Sequence, residues 1–226
     1  MAVNKKIFGY AAVLTIILFM LIYSFNVFLD SRREDSLLGK VDDLFSDYEE
    51  LQAILLLSDI ANDDKMTCLA LESSLAYLNR IWETGRRIDD YQALNEEFLN
   101  DPFYIKMKQK FNRGEIMYFS MLKKLKEECN VKKISVQYFY KRTEECGNCD
   151  AQSFVLNDIN RDLYRDVVIF SFDTDIGGQS VGLLATYYNI SEYPCIVIED
   201  DVYCGLRNKN QVIGLLCSYG NLSVCS

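Results

Sequence analysis

The apolar positions change rhythm along the chain, and each rhythm predicts a different element. From Ile7 to Leu29 they form one run, IFGYAAVLTIILFMLIYSFNVFL, without a charge and with only Thr15, Ser24 and Asn26 as distinctly polar side chains. At about 1.5 Å per helical residue the run reaches across a hydrocarbon layer of roughly 30 Å. It predicts a transmembrane signal anchor over 7–29 behind a short tail, 1–6. A cleaved secretory signal is the alternative, but the run is longer than the usual apolar region of such signals and no small-x-small site precedes Asp30.

Beyond Glu34 the run gives way to a stripe. Leu37, Val41, Leu44, Tyr48, Leu51 and Leu55 recur at alternating spacings of four and three, which places them on one side of a helix. Leu71, Leu75, Leu78 and Trp82 repeat the rhythm, as do Tyr118, Leu122, Leu125 and Cys129, with polar breaks at Asn62-Asp63-Asp64 and Asn100-Asp101-Pro102. Pro102 suits the first position of a helix capped by Asp101. A helical bundle or stalk is predicted over 34–130, with three main helices running up, down and up; a longer coiled coil pairing two copies of the chain is the alternative. That path brings Cys68, near the start of the second helix, to Cys129, at the end of the third. A disulfide between them stands against two unrelated buried thiols. Phe103, Tyr104, Met107, Phe111 and Met117 read as core at helical spacing, not as a ligand groove.

After residue 130 the stripes give way to β-branched and aromatic runs. Val131 to Tyr140, Val167 to Phe172, Cys195 to Ile198 and Val202 to Cys204 predict strands, the last two as an antiparallel hairpin. Helices are predicted after Cys149, with Phe154, Val155, Ile159 and Leu163 at helical spacing, over Val181 to Tyr188, and over Gln211 to Cys217. The order β-α-β-α-β-β-α implies a parallel element covered by helices, extended by antiparallel strands.

Composition narrows the chemistry. The chain has 226 residues, half of them hydrophobic, and no histidine. Disorder is disfavoured, and His-based triads, Cys-His nucleophiles and His-ligated metals are excluded. The balance of 24 Lys and Arg against 33 Asp and Glu leaves a net charge of -9 with no basic stripe, which speaks against nucleic-acid binding. Eight cysteines permit a disulfide set in an oxidising compartment. The lysines Lys5 and Lys6 outweigh Arg32 and Arg33 only slightly, since Asp30, Glu34 and Asp35 dilute the latter. The cysteines break that tie. The N-terminus is expected in the cytoplasm, with the rest of the single-pass chain outside.

Three ordered motifs carry a resemblance over about the last 90 residues. Cys146-Gly147-Asn148-Cys149 lies between a strand and a helix, Ala185 to Pro194 reads A-x-x-Y-x-I-x-x-x-P, and Gly205, Lys209, Gln211, Val212 and Leu216 follow as G-x-x-x-K-x-Q-V-x-x-x-L. Together they resemble the thioredoxin superfamily. The fold class expected is thus an α/β thioredoxin-like domain, 131–226, preceded by a transmembrane helix and a helical bundle. The resemblance implies that Pro194 is cis and flanks the cysteine pair, and that Tyr193 and Pro194 contact a bound peptide. Glu145, Tyr140 and Phe154 depart from the family's Trp, buried Asp and Pro, which leaves the proton acceptor of the second thiol unassigned.

Thiol–disulfide exchange needs an exposed attacking thiolate and a second thiol near enough to displace it. Cys146 is expected to attack and Cys149 to resolve. A helix N-terminus favours the Cys146 thiolate, while Glu144, Glu145 and Asp150 oppose it, so a reductase or isomerase poise is expected over that of a strong oxidant. No dissociable cofactor is called for, since the two sulfurs carry the electrons. A structural Cys146–Cys149 bond and an all-cysteine zinc site with Cys195 and Cys204 are the competing readings; no metal is assigned. Cys195 and Cys204 read as a cross-strand disulfide, an accessory redox pair or small buried hydrophobes, with a structural bond favoured. Cys217 and Cys225 would staple the C-terminal tail. Two functions follow: a membrane-anchored thiol–disulfide oxidoreductase acting on protein thiols and disulfides, or a non-catalytic thioredoxin-like binding or scaffold protein that assembles through its helices.

Overall fold

The computed structural model describes residues 9–29, 32, 53–54, 56, 63–79, 81–94, 98–142 and 144–225. The chain divides into two compact units, Met1–Asp43 and Leu44–Ser226. In the first, helix α1 (Gly9–Leu29) is long and apolar enough to cross a membrane, and its side chains are exposed. The stripe from Leu37 to Leu55 lies outside the described residues.

In the second unit the stripe from Leu71 to Trp82 forms two helices. α2 (Asp64–Leu78) stops at Asn79, a weak helix former, and α3 (Ile81–Leu94) starts two residues later, so that Leu78 and Ile81 are both buried. A 3-10 turn (Phe98–Asn100) leads into α4 (Pro102–Cys129), at 28 residues the longest helix among the described residues of this unit. Its start is the one expected: Pro102 is the first residue, and the Asp101 carboxylate accepts from the N–H of Phe103 at 2.9 Å. Its end is set by Asn130, which turns left-handed at φ 55°. α2 and α4 run antiparallel, and a disulfide joins Cys68 to Cys129 with their Cα atoms 5.7 Å apart.

Four strands follow: β1 (Ile134–Tyr140), β2 (Val167–Asp173), β3 (Cys195–Ile198) and β4 (Asp201–Cys204), in the order β2-β1-β3-β4. β1 and β2 are parallel, with Val136 opposite Ile169, and β3 lies antiparallel to β1 and β4. Helices α5 (Cys149–Leu163), α6 (Gln179–Tyr187) and α7 (Lys209–Leu216) complete the order β-α-β-α-β-β-α read from the sequence. One sheet face presents Ile134, Val136, Tyr138, Ile196 and Ile198 to Leu156, Ile159 and Leu163 of α5 and to Val212 and Leu216 of α7. The other presents Phe139, Phe170, Phe172 and Val197 to Val181 and Ala185 of α6 and to Tyr118, Phe119 and Leu122 of α4. The helical segment and the sheet therefore bury one another's apolar surface. Phe154 departs from the expected core face of α5 and is 75% exposed. The buried stripe is Gln152, Leu156, Ile159 and Leu163, and residue 154 lies about half a turn away from it.

At one end of the sheet, Lys126 pairs with Glu199 and Lys123 with Asp200 at 2.9 Å, tying α4 to the β3–β4 turn. At the β2 edge the tie is different. The Asn112 side-chain amide donates to the carbonyl of Ser171 at 3.0 Å, and Glu115 Oε1 accepts from the Ser171 N–H at 3.0 Å. Two side chains of α4 thus give Ser171 the donor and acceptor that a neighbouring strand would give it.

α7 begins with a reciprocal cap. Asn208 Oδ1 accepts from the N–H of Gln211 at 3.0 Å, and Gln211 Oε1 accepts from the N–H of Asn208 at 2.9 Å. Asn208→Ala should lower stability by about 1 kcal/mol. A lower urea midpoint at unchanged slope is the expected readout.

Candidate functional site

The segment leaving β1 folds back on itself before α5 starts. The N–H groups of Glu145 and Cys146 both donate to the carbonyl of Arg142 at 2.9 Å, and the Cys149 N–H closes a turn on the carbonyl of Cys146 at 3.2 Å. Cys149 is the first residue of α5, and Cys146 lies in the turn before it. The two sulfurs are bonded to each other, with the Cα atoms 5.5 Å apart. Both cysteines are buried, Cys146 at 4% and Cys149 at 3% exposure, although Glu144, Glu145, Gly147 and Asn148 around them are exposed. The expected contrast between an exposed Cys146 and a covered Cys149 is absent in this oxidised form.

The Tyr193–Pro194 peptide bond is cis. Its loop reaches the cysteine turn through Lys141, whose ammonium lies 5.5 Å from the centre of the Tyr193 ring and pairs with the Glu145 carboxylate at 2.5 Å. Asp175, leaving β2, accepts from the Arg142 N–H at 3.1 Å and lies 3.6 Å from the same lysine. Three loops thus meet at the C-terminal end of β1. Cys195 follows Pro194 and is bonded to Cys204, its partner across the hairpin, with Cα atoms 4.0 Å apart. Gly205, at φ 85°, then donates its N–H to the carbonyl of Pro194 at 2.8 Å. The left-handed backbone there suits glycine. Cys217 ends α7 and is bonded to Cys225. All eight cysteines are paired, and among the described residues no cluster of His, Cys, Asp or Glu is arranged to hold a metal ion.

Cys149 also borders a cavity of about 600 Å³ that runs between α5 on one side and α3 and α4 on the other, past the β2 edge at Ile169 and Ser171. Its floor is aromatic and its wall is charged. The Tyr138 hydroxyl donates to the carbonyl of Cys149 at 2.6 Å, and the Tyr138 ring stacks on Tyr140 with centroids 5.2 Å apart. Burial raises both phenols above the ordinary tyrosine range. Lys108, 7% exposed, lies 5.5 Å over the Phe111 ring and 5.7 Å over the Tyr140 ring. Glu115, 1% exposed, accepts from Ser171 through Oε1 and from the Asn112 amide through Oε2 at 2.8 Å. Burial pushes its carboxyl up to about 7 against the opposing pull of Lys108 and of the two hydrogen bonds.

Glu115 lies outside the cysteine motifs of the sequence. A signal was present: Phe111, Glu115, Tyr118 and Leu122 continue the spacing of four and three, which puts a carboxylate on the buried seam.

No protein-family model matches the chain, and no curated protein matches it. Solved structures that align with it include one described as the structure of a malarial protein, 17% identical over 38% of this chain and 97% of the other, with a TM-score of 0.34. A second is thioredoxin-2, described as a component of malaria parasite protein secretion machinery, 18% identical over 38% of this chain and 82% of that one at a TM-score of 0.34. A third is the germline-specific thioredoxin Deadhead of Drosophila melanogaster, 17% identical over 44% and 92% of the two chains, again at 0.34.

Proposed function

We propose that the chain is a membrane-anchored thiol–disulfide oxidoreductase of reductase or isomerase type, acting on protein disulfides through Cys146 and Cys149. The observation that carries this reading is the placement of the pair: a Cys-Gly-Asn-Cys turn at the entrance to α5, at the end of β1 where the Tyr193–Pro194 loop also arrives. Cys146 attacks a partner disulfide, Cys149 resolves the mixed disulfide, and Tyr193 with Pro194 forms the wall against which the partner chain lies. Residues 131–226 act as a thioredoxin-like domain, 34–130 as its helical support, and 7–29 as a single-pass anchor. The pairing of all eight cysteines supports an oxidising compartment for residues beyond the anchor, and hence a cytoplasmic N-terminus. The acidic groups beside the pair, Glu144 and Asp150, disfavour a thiolate, with Glu145 offset by its pairing to Lys141, and so support a reducing or isomerising poise.

A second reading rests on the burial of both cysteines, which suits a structural disulfide in a domain that only binds its partners. Trapping separates the two. Full-length protein carrying Cys149→Ser should accumulate mixed disulfides through Cys146, released by reductant and absent from a Cys146→Ser/Cys149→Ser control. Equal capture by variant and control would leave the binding reading standing.

A further inference from the structure

If the pair works as proposed above, every turnover requires the Cys149 thiol to lose its proton, because a thiolate is what displaces sulfur from sulfur. Cys149 is covered, and burial without an acceptor holds the proton on the thiol. A base must therefore be supplied by what Cys149 faces. The phenols of Tyr138 and Tyr140 on β1 hold their protons more firmly than free tyrosine does. Asp150 on α5 and Asp89 on α3 line the cavity but are exposed to solvent. The buried carboxylate on the cavity wall is Glu115 of α4, held by Ser171 and Asn112 so that it keeps one orientation.

We propose that Glu115, on a helix outside the α/β layer, is the proton acceptor for Cys149, reached through the cavity that both residues line. In the mixed disulfide, Cys146 Sγ is bonded to the partner sulfur. The proton leaves Cys149 Sγ, crosses the cavity through water, and ends on a carboxylate oxygen of Glu115. The electron pair left on Cys149 forms the Cys146–Cys149 bond, the bond from Cys146 to the partner breaks, and the partner departs as a thiolate. The partner disulfide has then gained two electrons and the cysteine pair has lost two; two equivalents of a small-molecule thiol from the surroundings, leaving as their own disulfide, restore the dithiol. The carboxyl of Glu115, raised to about 7 by burial, exchanges protons near neutral pH, where a general base is most effective. Among the charged groups around it, Lys108 on α4 favours its ionised form and Asp89 on α3 opposes it. Asp173 on β2 and Asp89 in turn raise Tyr140 on β1, and Arg86 on α3 lines the same cavity.

The test uses full-length reduced protein in detergent and a fluorescent peptide disulfide, with release of the second peptide thiol followed from pH 5.5 to 9. The wild type should accelerate through about pH 7 and level off. Glu115→Gln should be slower by about tenfold or more at pH 7 and should recover only toward the ordinary thiol range near pH 8.5, with partial rescue by Glu115→Asp. A folded Glu115→Gln protein with the wild-type rate and profile overturns the proposal. Carboxyl-carbon NMR of the wild type gives a second readout that needs no variant: the Glu115 titration should move between the disulfide and dithiol forms, and an unmoved titration also overturns it. The trapping experiment keeps the two levels apart. Absence of trapped partners removes the oxidoreductase reading and this one with it, whereas trapping combined with an unaffected Glu115→Gln protein removes only the role of Glu115.

Discussion

Replacing Cys68 and Cys129 together by serine should lower the free energy of unfolding by about 4 kcal/mol. The bond joins residues 61 apart in sequence and closes a loop that holds most of α2 and all of α3 and α4. Cutting it lets the unfolded chain explore far more conformations, and the entropy of that freedom grows with loop length. The folded side changes little, because Ala70, Leu71 and Leu78 of α2 stay buried. The effect should appear in urea unfolding with the other three bridges intact, as a lower midpoint and a slope that rises as the unfolded state expands. A loss below about 1 kcal/mol would show that packing already restricts this loop in the unfolded chain.

The second large effect is a pH dependence that belongs to one residue. Glu115 binds its proton up to about pH 7 in the folded protein, against an ordinary value of 4.5. Between those values the folded state carries a proton that the unfolded state has released, so stability falls as pH rises through the window from 4.5 to 7. The whole step amounts to about 3 kcal/mol, full stability from this group being present below the window and lost above it. Asp173 is shifted in the same direction by burial and Asp89, exposed but lining the cavity, by partial desolvation, while Asp158 is shifted in the opposite direction by Lys209. The informative quantity is therefore the difference between wild type and Glu115→Gln, measured by urea unfolding at pH 4.5 and at pH 8. That difference should move by about 3 kcal/mol in favour of the variant at the higher pH. A difference that stays constant with pH would mean that Glu115 is ionised in the fold at no cost. A carboxylate that weakens the protein at neutral pH, on a cavity that Cys149 also lines, fits the role proposed for Glu115 better than a purely structural one.

Much of this architecture is legible in local sequence because its causes are local. The order of strands and helices after residue 130 follows from the change of period and from β-branched content. The start of α4 follows from Asp101 and Pro102, which satisfy and pre-set the first turn without help from the rest of the chain. Other features escaped because periodicity tolerates more than one phase. Phe154 is two residues from Gln152 and from Leu156, and the packed face of α5 runs through those two instead, with a glutamine as buried as the leucine. The interruption after Leu78 was hidden because the apolar rhythm continues across it, while Asn79 ends one helix and lets another begin.

The sequence by itself determined an apolar run long enough for a membrane, an acidic chain without histidine, and a Cys-x-x-Cys turn between a strand and a helix. Each of these rests on residues adjacent along the chain or on composition, so no distant contact can alter it. Only the tertiary structure decided that Asn112 and Glu115 take the place of a strand at the β2 edge, that both cysteines of the turn are covered, and that Cys149 opens on a cavity walled by α3 and α4. Those outcomes depend on how Tyr118, Phe119 and Leu122 seat α4 against Phe170, a packing of residues roughly fifty positions apart in sequence. The same seating carries a carboxylate into a buried place beside the sheet, where burial outweighs Lys108 and two hydrogen bonds and raises the pH at which it holds a proton.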